Sequence, residues 1–234
     1  MAKAPQPGRS KTRLCPPLTL EEAATMSAAF LRDITENLAC AARQAPITGL
    51  IAYAPAGSEA LFDGHLAPGT GLILADGITP MPPGVTGFGT CLLHAIEAML
   101  NAGHTGAVVL NSDSPTLPTD YLVRTACLLL APGDRAVLGP AEDGGYYLLG
   151  MTRAHAHLFR DIAWSTAGVA EATRQRAAEI GLELVELPAW YDVDDAGALA
   201  RLRAETARPG PHFPAPASAA ALTRLDAAMP RAAE

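Results

Sequence analysis

The chain has 234 residues, 49% of them hydrophobic and 18% charged, and carries a formal net charge of −7. That length and apolar fraction allow one large α/β domain or two small ones. The acidic balance argues against a nucleic-acid backbone as main partner, because such binders present a basic face, but it leaves room for one nucleotide on a small basic loop. No apolar run reaches the ~18 residues of a membrane span, and no signal-peptide pattern opens the chain. The expected setting is therefore the cytoplasm. Cys15, Cys40, Cys91 and Cys127 are widely spaced, and the last three fall in apolar helical stretches. They read as small buried hydrophobes in a reducing compartment.

The elements alternate as βαβ units do. Only Met1 and Ala2 precede a basic loop, Lys3 to Leu14, that holds both lysines of the chain. A phosphate loop normally follows a buried strand, so that first strand is missing or cut short here, and the true start is expected upstream. Thr19 and Glu22 form a capping box for a long helix over 19–43, with Ala23, Met26, Phe30, Ile34 and Leu38 on one face. Strands are expected at 50–53 and 72–75, with a weak helix at 59–66 between them and a helix over 88–100 after them. The fully apolar 107–110 reads as a central, parallel strand. A helix over 119–130 follows, then strands at 136–138 and 146–149, a helix over 167–180, a strand at 182–187 and a helix over 195–203. After Ala207 the composition turns to Ala and Pro, so 1–207 is expected to be the working domain and 208–234 a tail or loosely docked extension.

Three constellations carry chemistry. The first is the basic loop. Lys3, Lys11 and Arg13 offer ammonium and guanidinium donors to phosphate, and Gly8 lets the backbone approach a ligand. The competing reading is a solvated basic N-terminus. The second is Asp113, placed after the apolar strand. Ligands bind at the carboxyl ends of strands in open α/β sheets, and a carboxylate there can hold Mg²⁺ or Mn²⁺. An Asx-turn before Ser114-Pro115 is the alternative. The third is acidic: Glu142-Asp143-Gly144-Gly145 between two strands, and Asp192-Val193-Asp194-Asp195 ahead of the last helix. In an extended segment Asp192 and Asp194 point the same way. Turn chemistry and an N-cap by Asp195 or Asp194 are the bland reading. No histidine pair shows ligand spacing.

In order along the chain, K-A-P-x-P-G-x-x-K-T-R-L, D-S-P-T-L-P, G-P-A-E-D-G-G-Y-Y-L-L-G, W-S-T and D-V-D resemble a bacterial family of small GT-A-like transferases. That family is labelled glycosyltransferase or radical-SAM/selenodomain-associated transferase 1. It is similar to the phospholactate and molybdenum-cofactor guanylyltransferases of the nucleotide-diphospho-sugar transferase superfamily. The resemblance implies a three-layer αβα fold with a mixed, mostly parallel central sheet. It implies a nucleotide on Lys3, Pro7, Gly8, Lys11, Thr12 and Arg13, and Mg²⁺ (or Mn²⁺) on Asp113 and Asp194. Glu142, Asp143, Gly144, Gly145 and Asp192 would lie on the acceptor side. The role of Trp164-Ser165-Thr166 is unassigned. Where the family carries an acid and an arginine entering the middle helix, this chain has Gly87-Phe88-Gly89-Thr90-Cys91-Leu92.

The expected function is metal-dependent nucleotidyl transfer from an NTP to a small anionic acceptor, with pyrophosphate released. Lys11, Arg13 and Asp143 are the candidate catalytic groups. Glycosyl transfer from a nucleotide-sugar, with Asp143 or Glu142 as base, is the alternative. A nucleotide-binding protein without catalysis is a third reading, motivated by the lost acid and arginine. A nucleotide and a small-molecule acceptor are the expected partners, without nucleic acid.

Overall fold

The structure is a computed structural model that describes residues 1–228. Six strands and six α-helices follow one another: α1 (Leu20–Ala42), β1 (Leu50–Tyr53), β2 (Gly71–Leu74), α2 (Phe88–Asn101), β3 (Ala107–Leu110), α3 (Thr119–Leu130), β4 (Arg135–Pro140), β5 (Tyr146–Met151), α4 (Val169–Glu179), β6 (Glu183–Glu186), α5 (Ala196–Thr206) and α6 (Pro216–Ala228). The expected helix at 59–66 is only a 3₁₀ turn, Glu59–Phe62.

β1 and β2 form a parallel pair. The other four strands form a sheet in the order β3-β5-β4-β6. There β5 runs antiparallel to both β3 and β4, and β4 runs parallel to β6. The sheet system is thus mixed, with β5 reversed against both neighbours. On one face, Ala136 and Leu138 of β4 and Leu149 and Met151 of β5 pack with Leu92, Leu93 and Ile96 of α2 and Ala177 of α4. On the other, Val137 and Leu148 pack with Ala41 of α1 and Leu122 and Leu129 of α3. Helices on both sides of a central sheet make the three-layer αβα arrangement.

A separate core positions the site. Leu14, Met26 and Phe30 meet Tyr191, Val193, Leu199, Leu202, Ala221 and Leu222. It ties the basic loop, α1, the segment before α5, and α6 into one unit. The stretch expected to trail as an Ala/Pro-rich tail therefore contains a docked helix. Small side chains let α6 approach α1 closely, and the buried Asp33 of α1 accepts the amides of Ala217 and Ser218 at 2.8 and 2.7 Å and the Ser218 hydroxyl at 2.5 Å. That supplies partners for the first free N–H groups of α6.

The capping box of α1 forms as expected. The cysteines, expected to be buried, are not: Cys127 is exposed on α3, Cys15, Cys40 and Cys91 are partly exposed, and all four are free. Among the described residues no helix is long and apolar enough to cross a membrane.

Candidate functional site

The basic loop is built by its own polar residues. Buried Ser10 donates its hydroxyl to Gln6 O and accepts the Gln6 amide, both at 2.9 Å. Gly8 takes φ +73°, where a side chain is strained, while an added Cβ would meet only Leu20 at 3.8 Å. Gly8 thus serves the turn. Lys11 also sits in the left-handed region, at φ 53°, just before a 3₁₀ turn over Thr12–Leu14.

That turn aims Lys11 inward. Its Nζ lies 2.8 Å from Asp113 and 2.7 Å from Asp194, and donates to Val193 O at 3.0 Å. The side chain is 8% exposed. Burial works against its charge, but Asp113 and then Asp194 outweigh burial and hold the ammonium above its usual pKa. The Val193 amide donates to Asp113 O at 2.8 Å, which stitches the segment before α5 to the end of β3. Asp195 caps α5 by accepting from the Ala198 amide at 2.8 Å. Asp194 is thereby left for the site. Arg13 touches Asp194 at 3.3 Å with its side chain 76% exposed, so most of its donors remain available.

A cleft of about 430 Å³ opens above the carboxyl ends of β1 and β3. Lys3, Arg9, Lys11, Thr12 and Arg13 line it together with Ser112, Asp113 and Asp194. The small Ala52, Ala54 and Ala75 leave depth, and half-exposed Phe88 and the partly buried Cys91 of α2 bound another side. Pro7 and Gly8 do not line the cleft. Lys11, expected on phosphate, instead bridges the two carboxylates expected to hold a metal.

The acidic residues lie beside this cleft. Asp143 is exposed and accepts the Gly145 amide at 2.8 Å. Asp192 is pushed up to about 6, first by burial and then by the carboxylates of Asp143, Asp194 and Asp113. The four aspartates therefore form one negative field. Glu142 is held by Arg201 at 2.9 and 3.0 Å and is tied to structure.

The donor set suits a hard divalent cation: Asp113 and Asp194 converge on one cation-sized point, and Mg²⁺ is commonly held by one or two carboxylates plus substrate phosphates. The Lys11 ammonium stands at that point. Among the described residues no group of three or more His, Cys, Asp or Glu is placed to hold a metal ion by itself.

Trp164 was visible as a motif but not as a part. Its indole N–H donates to Thr86 O at 3.0 Å, and its ring lies edge-on to Phe88 and Tyr146. A Cβ on Gly89 would fall 2.8 Å from that ring, so Gly89 is the residue that admits it. The loop after Trp164 also clamps the acidic turn. Gly144, at φ +91°, has no room for a Cβ, which would sit 2.1 Å from Ala167 O. The Ala170 amide donates to Gly144 O at 2.9 Å. One short segment thus holds the start of α2 and the Asp143 turn in fixed relation.

A family model described as "Uncharacterized protein conserved in bacteria (DUF2064)" matches residues 37–166. It spans Asp113, Asp143 and Trp164, while the basic loop and Asp194 lie outside it. The chain is also similar to a solved protein from Desulfovibrio desulfuricans G20 that is provisionally described as a nucleotide-diphospho-sugar transferase. The two are 26% identical, the likeness covers 97% of this chain and 93% of that one, and the TM-score is 0.78. The fold is accordingly GT-A-like. No curated protein matches the sequence.

Proposed function

The chain belongs to the DUF2064 family, and from that premise we propose that it is a transferase of the nucleotide-diphospho-sugar transferase superfamily that moves a nucleotidyl group from an NTP to a small anionic acceptor. The observation that carries this reading is the single cleft in which Lys3, Arg9 and Arg13 face the Asp113–Asp194 pair at the ends of β1 and β3. Lys3, Arg9 and Arg13 bind the triphosphate, and Thr12 offers a hydroxyl beside it. Phe88 and the alanine-lined floor receive the nucleoside. Asp113 and Asp194 would hold Mg²⁺, which when bound neutralises phosphate charge. Lys11 leaves the carboxylates and donates to the phosphates instead.

The acceptor oxygen then attacks the α-phosphorus, the bond to the β-phosphate oxygen breaks, and pyrophosphate departs against Arg9 and Arg13. Such a step depends on positioning and charge more than on a proton-transfer group. In this reading Asp143 and Asp192 flank the acceptor, and their negative field requires an anionic acceptor to enter with its charge neutralised by a cation.

The test is pyrophosphate release from each NTP with Mg²⁺ across a panel of small phosphorylated acceptors, with Asp113→Ala as control. Release that needs an acceptor and is lost in Asp113→Ala supports the reading. Pyrophosphate from no combination, with free NDP produced from a nucleotide-sugar, refutes it. Glycosyl transfer is the second reading, favoured by the description of the Desulfovibrio protein.

A further inference from the structure

The three segments that carry site aspartates are each held through a residue next to an aspartate. Ser114, beside Asp113, donates its buried hydroxyl to Tyr191 O at 2.8 Å. Tyr191, beside Asp192, donates its own hydroxyl to Glu205 Oε2 at 2.7 Å. Thr116, fully buried, donates to the same oxygen at 2.9 Å. Glu142, beside Asp143, accepts Arg201 Nη1 on its two oxygens at 3.0 and 2.9 Å.

These contacts meet on one side chain. Arg201 and Glu205 lie one turn apart on α5, and Arg201 Nε donates to Glu205 Oε1 at 3.2 Å. The guanidinium lies over the Tyr191 ring, with Cζ 3.7 Å from the centroid. Its flat face, its Nε and its Nη1 thus hold three different partners, a division that the single ammonium of a lysine cannot make. The hydrogen bonds of Arg201 go to Glu142 and Glu205, and the aspartates beside them stay with the site.

The cluster is closed on one side and open on the other. Thr116 and Tyr191 are buried, whereas Arg201 and Glu142 are 40% and 49% exposed. An ion pair that exposed adds little to stability, so what it fixes is position. Backbone pairing of Ala141 with Trp190 aligns the two acidic segments up to that point. One residue further along each, Arg201 ties Glu142 to Tyr191.

We propose that Arg201 is a positioning residue for the transfer reaction: acting through Glu142, it sets Asp143 against Asp192 and fixes the acceptor side relative to the Asp113–Asp194 pair. The kinetic consequence rests on the function proposed above; the anchoring of the turn does not. The nucleotide side is built on Lys3, Arg9, Arg13 and Phe88, which belong to other elements, so the effect is confined to the acceptor.

The test uses Arg201→Met, Glu142→Gln and the double variant. Arg201→Met is expected to raise the KM for the acceptor about 10-fold or more and to leave the KM for NTP unchanged. A smaller folded fraction would move neither KM. Glu142→Gln is expected to raise the acceptor KM likewise, and the double variant to be no worse than Arg201→Met. Hydrogen exchange at the Glu142 and Gly145 amides should quicken in both single variants, with the Ser10 amide of the basic loop as control. An unchanged acceptor KM in Arg201→Met overturns the proposal, and additive effects in the double variant overturn the route through Glu142. If the wild type turns over no NTP with any acceptor, the function proposed above fails by itself. Hydrogen exchange then decides for Arg201: quickened turn amides support the anchoring, and unchanged ones overturn it. If Arg201→Met does not fold, Glu142→Gln carries the same two readouts with Arg201, Tyr191 and Glu205 left in place.

Discussion

Replacing Lys11 with Met keeps most of the side-chain volume against Phe30, whose ring centroid lies 5.6 Å from Nζ, but removes the charge between Asp113 and Asp194. With Nζ at 2.8 and 2.7 Å from the two oxygens, these lie no more than ~5.5 Å apart, where two unit charges repel by roughly 3 kcal/mol at an effective dielectric of about 20. Removing one member of a buried pair typically costs about 3–5 kcal/mol. The carboxylates are 33% and 36% exposed, so water screens part of both effects. The expected loss is about 2 kcal/mol, which for a chain of this size lowers Tm by about 4–8 °C. The distinguishing readout is Mg²⁺. In chelator the variant is destabilised, and millimolar Mg²⁺ restores more stability to Lys11→Met than to the wild type, because the two carboxylates are free to hold it. Thermal and urea unfolding with chelator and with Mg²⁺ measure both. A variant as stable as wild type in chelator, or one no more responsive to Mg²⁺, would refute the idea that Lys11 occupies a cation site.

Gly144→Ala places a Cβ against Ala167 O at a left-handed φ, and a loss of about 3 kcal/mol or more is expected by urea unfolding. Asp33→Ala removes the acceptor of three hydrogen bonds at the start of α6. It should cost about 2 kcal/mol, with hydrogen exchange quickened first in α6. The Met1 amino group is lowered from 8.0 to about 6 by burial, so between those values the unfolded chain binds more protons than the folded one. Stability should therefore rise as pH rises from 6 to 8, by on the order of 2 kcal/mol, and level off above. A flat profile by urea unfolding across that range would count against the buried terminus.

Local signals in the sequence were read correctly where they are complete within a few residues. Thr19 and Glu22 announce α1, while the sequence leaves the cap of α5 open between Asp194 and Asp195 and the structure gives it to Asp195. The pairing of Lys11 with Asp194 was not legible, because 183 residues separate them and only the shared core of Leu14, Phe30 and Val193 brings them together. The sequence places the lysine with phosphate and the aspartates with a metal, and the structure shows the three in direct contact. The direction of β5 was hidden as well, since an apolar run from Tyr146 to Met151 encodes burial and not polarity. The alanine-rich composition after Ala207 left a tail and a loosely docked extension both open, and the helix α6 packs on α1. What anchors it is one buried carboxylate on another helix. Trp164 was a motif without a role until Gly89 and Thr86 supplied its seat.

The placement of Lys11 changes how the site must work. A fixed ammonium held by Asp113, Asp194 and Val193 O is satisfied, so it has little reason to leave unless a better cation arrives for the carboxylates and a better anion for itself. Under the proposed function a metal–triphosphate pair would bring both at once: Asp113 and Asp194 would hold the metal, and Lys11 would donate to the phosphates. Free nucleotide without metal brings only the second, and would strand Asp113 and Asp194 beside each other and beside Asp192. On that reading metal and nucleotide binding would be coupled, each strengthening the other by the same factor. Calorimetric titration of NTP with and without Mg²⁺ should show that coupling, and Lys11→Met should weaken it, since its carboxylates no longer need nucleotide to release them. Independent binding of the two ligands to the wild-type protein would remove the exchange from the mechanism and leave Lys11 as a permanent strut between Asp113 and Asp194.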